Sequence, residues 1–176
     1  MQVRVRDVID AFELLYAGIH DRDFRKTLKL NEYRERDLAP LVRTFLLGWF
    51  GQVTPEARSR LPGTLTGYGS IDFVVGDIAV EFAVRRQRDR RAALSDVTNA
   101  TEIKKLMKHP GRSVLVLFDF SKDAFEQEDL ERYREWRSLG RGNHKVSAFN
   151  VAYFFRRPGR PITSDKIVLN VRPRRS

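Results

Sequence analysis

The chain has 176 residues, no cysteine, and 33 Lys and Arg against 23 Asp and Glu, a formal charge of +10 at pH 7. The lack of cysteine excludes a disulfide scaffold, a thiolate zinc site and a cysteine nucleophile, and the positive balance points to a polyanionic partner, nucleic acid ahead of an anionic membrane surface. A hydrophobic fraction of 41% at this length predicts one domain over 1–176 with a proper core. Three scattered histidines, His20, His109 and His144, have no metal-ligand spacing. No apolar run approaches a membrane span, and the first residues lack a signal peptide's apolar segment, so a cytoplasmic protein is expected.

Residues 7–20 place Val8, Phe12, Leu15 and Ile19 at helical spacing, with Asp7 able to cap. Residues 20–23 read as a polar connection. A second helix is predicted over 31–50, capped by Asn31, or starting nearer Asp37 because Pro40 suits a first turn. Glu35, Leu38, Val42, Phe45 and Trp49 then share one face, which sets an acid at the head of an apolar stripe. The helix dipole by itself also favours an acid there. Residues 54–69 are rich in turn formers, with Pro55, Pro62, Gly63, Gly67 and Gly69, and a strand near Leu65 is expected to pair with the hairpin after it.

The stretch 70–86, SIDFVVGDIAVEFAVRR, reads as a β-hairpin around Gly76-Asp77. Counting outward from that turn opposes Val75 to Ile78, Val74 to Ala79, Phe73 to Val80 and Asp72 to Glu81. One face carries Ile71, Phe73, Val75, Ile78, Val80, Phe82 and Val84; the other carries Ser70, Asp72, Val74, Ala79, Glu81, Ala83 and Arg85. Two carboxylates directly opposed repel. A hard divalent cation relieves that repulsion; a solvated face neutralised by Arg85 is the plainer reading.

Arg85, Arg86, Arg88, Arg90 and Arg91 then crowd together with only Asp89 to offset them. Such a run is ordinarily a solvated loop; beside two carboxylates it suits phosphate contact. A short helix is predicted over 98–109, burying Ile103, Leu106 and Met107, with Lys104 at the edge of that face and Lys105 pointing away. Residues 113–120, SVLVLFDF, predict a central strand covered on both sides; Asp119 near its end suits a supporting acid or a cap. Residues 123–139 predict a helix with Asp123 and Glu126 at its start, anchored by Phe125, Tyr133 and Trp136, with Gly140 at its end. After a loop over 140–143 come a strand over 146–155, returning parallel to the sheet, an edge strand over 167–171 and a basic tail over 172–176.

The order is α/β with a mixed central sheet flanked by helices. A helix acid, Asp on one hairpin strand, Glu on the next, a short Lys-bearing helix and an apolar strand together resemble the PD-(D/E)XK nuclease superfamily over about residues 31–120. The resemblance implies a restriction-endonuclease-like core over about 31–155 and Mg²⁺- or Mn²⁺-dependent hydrolysis of phosphodiester bonds, in DNA more than RNA. It implies that Asp72 and Glu81 bind the metal and act in catalysis, with Glu35 as a further metal ligand. A nuclease this small that cuts both strands often works as a homodimer. One departure stands out: the family's lysine, two residues after the glutamate, is Ala83 here. Arg85, one same-face step of about 7 Å along the strand, or Lys104 from the helix, is expected to supply the missing positive charge. Arg86, Arg88, Arg90 and Arg91 are expected to track the nucleic-acid backbone. The alternative is a descendant that kept the fold and lost the chemistry, serving as a nucleic-acid-binding or assembly subunit.

Overall fold

Six strands join one mixed sheet in chain order: β1 (Thr54–Arg60), β2 (Tyr68–Val75), β3 (Ile78–Arg85), β4 (Arg112–Asp119), β5 (Phe149–Phe155) and β6 (Asp165–Val171). The computed structural model describes residues 2–62, 64–135, 138–139, 145–157, 159 and 165–172. Gly63, Trp136, Gly140, the 140–143 loop, His144 and tail residues 173–176 lie outside the described residues. Neighbouring strands pair antiparallel except β3 with β4 and β4 with β5, which are parallel. Among the described residues, no helix is long and apolar enough to cross a membrane.

The helices form two layers over this sheet. α1 (Val5–Ile19) and α3 (Glu35–Phe50) cover one face, where Phe12, Tyr16, Leu38, Val42 and Leu46 meet Phe73, Val80, Phe82 and Phe118. α4 (Ala100–Lys108) and the short α5 (Gln127–Glu131) cover the other, where Ile103, Leu106 and Met107 meet Ala79, Ala83, Leu115 and Leu117. β4 is buried along nearly its whole length, as its unbroken apolar run requires.

Several boundaries differ from expectation, each for a local reason. α1 starts at Val5, and Asp7 caps it from the first turn by accepting a 2.8 Å bond from the Arg4 N–H. The polar connection after it holds a four-residue helix, α2 (Phe24–Thr27). Asn31 sits in a separate 3₁₀ turn, and α3 begins at Glu35, with Asp37 accepting from the Arg34 N–H at 3.3 Å. Trp49 is 54% exposed and stacks on Phe45, so it belongs to the surface and not to the stripe. The strand before the hairpin is 54–60, not near Leu65, which is fully exposed; Pro55 is accommodated because β1 is an edge strand. Asp123 is not helical: its carboxylate pairs with Arg91, and α5 starts only after Glu126.

Candidate active site

Three of the four counted hairpin pairs are present, Phe73 opposite Val80, Val74 opposite Ala79 and Val75 opposite Ile78, while the fourth, Asp72 opposite Glu81, is not a ladder pair. The ladder stops at Phe73 and Val80. At the next position the Asp72 carboxylate takes over, its Oδ2 accepting a 2.8 Å bond from the Phe82 N–H. On its other side, β1 and β2 pair around but not at Glu56 and Asp72, and Glu56 has φ 47°, left-handed for a residue with a Cβ. β2 therefore bends at Asp72. Beyond the bend Ile71 packs into the α4 layer while Phe73 packs under α1 and α3, which overturns the expected sharing of one face by Ile71 and Phe73.

Glu81 is 1% exposed and sits between Ala79 and Ala83 on the α4 side of β3. Its Oε2 has no hydrogen-bond partner. The Lys105 ammonium lies 2.7 Å from Oε1, an ion pair by distance whose angles fall short of a hydrogen bond. The same Nζ donates to the Ser70 carbonyl at 2.7 Å. Its stem crosses Gly69, where a Cβ would come 3.3 Å from the Lys105 Cδ.

These groups share one field. Burial, then the Asp72 charge, pushes the Glu81 carboxyl up to about 9, against the pull of Lys105. Burial also raises Asp72, opposed by the Phe82 N–H and Lys105. Glu35, exposed at the first residue of α3, is raised by partial desolvation and by the charges of Asp72 and Glu102. A cleft of about 620 Å³ between α3 and the β1–β2 bend is lined by Glu35, Arg36, Arg43, Glu56 and Asp72; Glu81 lies behind it, outside the lining.

Asp72 thus acts electrostatically on both Glu81 and Glu35, and two residues that sequence reading did not assign to the centre share the same field: Glu102 and Lys105. Lys105, not Lys104, is the lysine at the centre. Lys104 makes no ion pair with a described residue, whereas Lys105 is 7% exposed. Reading the helix against a flat sheet turns Lys105 outward. α4 instead lies against β1, β2, β3 and β4, so the side turned from β4 meets the curled β1–β2 wing. The usable signal was the Glu102–Lys105 spacing of three on a short helix that also presents an apolar face.

Arg85 is taken up elsewhere. Its guanidinium is 1% exposed and pairs with Asp119 through Nε–Oδ1 at 2.9 Å and a second contact at 2.5 Å. It also donates to Ser121 and to the Asp123 carbonyl. Asp119 further accepts from the Tyr153 hydroxyl at 2.6 Å, so it is the counter-ion of Arg85 and not a support for the acids. In the arginine run, Arg86 pairs with Asp89, and Arg91 with Asp123 and Asp129. Arg88 and Arg90 are exposed, with no ion pair to a described residue.

Among the described residues, no group of three or more His, Cys, Asp or Glu side chains is arranged to enclose a metal ion. The donor set nevertheless suits Mg²⁺, which asks for one or two carboxylates and otherwise for water and phosphate oxygens. Glu81, with its Oε2 unpartnered, and the neighbouring Asp72 are the two carboxyl groups that such an ion would take.

The raised Glu81 carboxyl has a consequence for stability. Its value is about 9 folded, against about 4.3 for an unperturbed glutamate. Between those values the folded chain holds the extra proton, so this group makes metal-free stability fall as pH rises. Glu81→Gln removes that loss. The variant is expected to match wild type near pH 5 and to exceed it at pH 8.5 by on the order of 1 kcal/mol, roughly 2–4 °C in Tm. Melting curves in chelator check this; a variant less stable at the higher pH would mean that the Lys105 ion pair outweighs the burial cost.

Comparison with protein-family models, with curated proteins and with solved structures finds no match to this chain.

Proposed function

We propose that the chain is a metal-dependent nuclease of the PD-(D/E)XK kind, hydrolysing phosphodiester bonds in DNA ahead of RNA. The observation that carries this reading is Glu81: a buried carboxyl whose Oε1 is paired with an ammonium at 2.7 Å and whose Oε2 has no hydrogen-bond partner, within the field of Asp72. The element order supports it, since α3 with Glu35, the bent hairpin, α4 and the buried β4 succeed one another as that resemblance asks.

Asp72 and Glu81 would hold Mg²⁺ or Mn²⁺, with Glu35 as a further acid at the cleft. The chemistry supplied by such an ion would be polarisation of the scissile phosphate and a lowered pKa for a bound water. The Phe82 N–H holds the Asp72 carboxylate in place. Lys105 takes the part of the lysine that Ala83 lacks. Anchored by the Ser70 carbonyl, its ammonium stabilises negative charge that develops on phosphate oxygens. Arg36 and Arg43 at the cleft draw the phosphate backbone in.

The binding-subunit reading rests on Ala83, and Lys105 removes much of its force. The two separate in one experiment. Purified protein with Mg²⁺ or Mn²⁺ is expected to nick supercoiled plasmid and to stop when the metal is chelated. Binding without nicking at any metal concentration would select the non-catalytic reading.

A further inference from the structure

The connection between α1 and α3 looks in sequence like a plain polar link, yet it forms one wall of a strongly basic groove. Two adjoining hollows of about 530 and 450 Å³ share Glu32 and Gln87. Arg22, Arg25, Lys29, Arg86, Arg88 and Arg156 line them. Of these only Arg86 has an ion-pair partner among the described residues, Asp89; Lys26 also lines the groove and pairs with Asp23 at 2.6 Å, and Glu32 is the single acid in the lining. Converging cations without counter-ions repel one another, a cost that a bound polyanion removes. His20, at the floor, is held neutral to about pH 4 by burial, with Arg156 and Arg25 adding to that effect.

The groove's place in the fold is also informative. Arg86 comes directly after β3, Arg156 directly after β5, and the His20 ring lies 5.4 Å from Phe120, directly after β4. It therefore sits off the carboxyl ends of the three mutually parallel strands, where open α/β sheets take their ligands. Two aromatic side chains belong to the same segment, outside the lining of the two hollows: Phe24, next to Arg25 in the chain, is 38% exposed, and Tyr33, next to Glu32, is 37% exposed. Cations that track a backbone, with aromatic faces beside them, are what an unpaired nucleic-acid strand needs, because its bases are free to stack. Flat anionic membranes fit a concave lining less well. We infer that this groove binds the phosphates of a single nucleic-acid strand, with Phe24 and Tyr33 as stacking faces, so that the substrate of the proposed nuclease carries an unpaired segment. The inference deepens the nuclease reading and rests on it for the word substrate.

The test uses the full chain in chelator, so that binding is read without cleavage. Anisotropy is measured with a labelled DNA strand, the matching duplex, tripolyphosphate as competitor, and phosphatidylserine vesicles. The expected result is tighter binding of the strand than of the duplex. Arg25→Ala/Lys29→Ala/Arg156→Ala is expected to raise Kd by at least about tenfold and to flatten the salt slope by about 2, near 0.7 for each lost phosphate contact. Phe24→Ala is expected to raise Kd about tenfold with the slope unchanged. Removing the same charge elsewhere, with Arg4→Ala/Arg6→Ala/Lys122→Ala, is expected to leave the slope as it was. Wild-type Kd and slope in the groove variant overturn the proposal. So does tighter binding of duplex or of vesicles, or binding of tripolyphosphate alone. Strand binding by a wild type that never nicks DNA leaves the groove standing and removes the nuclease. Nicking with an indifferent groove variant does the reverse.

Discussion

Asp72→Asn and Glu81→Gln are each expected to cut metal-dependent plasmid nicking about 1,000-fold or more, since a bound metal contributes several kcal/mol and each 1.36 kcal/mol is tenfold in rate. Both substitutions keep the volume of the side chain and remove its charge. Asp72→Asn can still accept the Phe82 N–H bond that fixes the bend, so the loss is to be read as chemistry and not as unfolding. Lys105→Met is expected to cost about 100-fold or more with the fold retained, in the range of losing one aligned donor to a developing oxyanion. Lys104→Ala is expected to stay within about twofold of wild type, because that side chain makes no ion pair with a described residue. Gel quantification of nicked plasmid over time separates the four. A fully active Lys105→Met beside an inactive Lys104→Ala would return the relocated charge to the residue that the flat-sheet reading chose.

The largest expected loss of stability lies away from this centre, at Arg85. Its guanidinium is buried with Asp119. Arg85→Met leaves Asp119 buried with Ser121 N–H and Tyr153 O–H as its remaining donors. The expected cost is about 3–5 kcal/mol, a fall in Tm on the order of 10 °C. Arg85→Met/Asp119→Leu is expected to cost less than Arg85→Met alone, since no charge is then left unpaired. Cleavage by folded Arg85→Met, measured well below its melting point, is expected to persist. A stable but inactive Arg85→Met would instead assign Arg85 to the reaction. Chemical denaturation of the single and double variants, with nicking assayed in parallel, decides between these outcomes.

The parts of the molecule that were legible in sequence are those governed by local pattern. The Gly76-Asp77 turn sets the hairpin register, and the apolar run in β4 marks a doubly covered strand. The parallel return of β5 is set by the chain between it and β4. Strand alternation does not carry the bend at Asp72, where a side chain replaces a ladder bond and exchanges the layers that Ile71 and Phe73 join. That bend lets the β1–β2 wing curl around α4, so Lys105 is buried from a direction that the helix period alone assigns to solvent. Arg85 was misplaced for a similar reason. Its partner Asp119 lies at the same level of the parallel neighbour, 34 residues away in the chain, where no short-range spacing signals it.

The central claim is that Asp72 and Glu81 share one divalent cation. Calorimetric titration of Mn²⁺ into chelator-stripped protein at pH 7.5, in two buffers of different ionisation heat, tests it most directly. The account predicts saturable binding with net proton release, because the ion must displace the proton that burial keeps on Glu81, and it predicts that the binding heat vanishes in Asp72→Ala. The same saturable heat in Asp72→Ala as in wild type, or none in either, would contradict it.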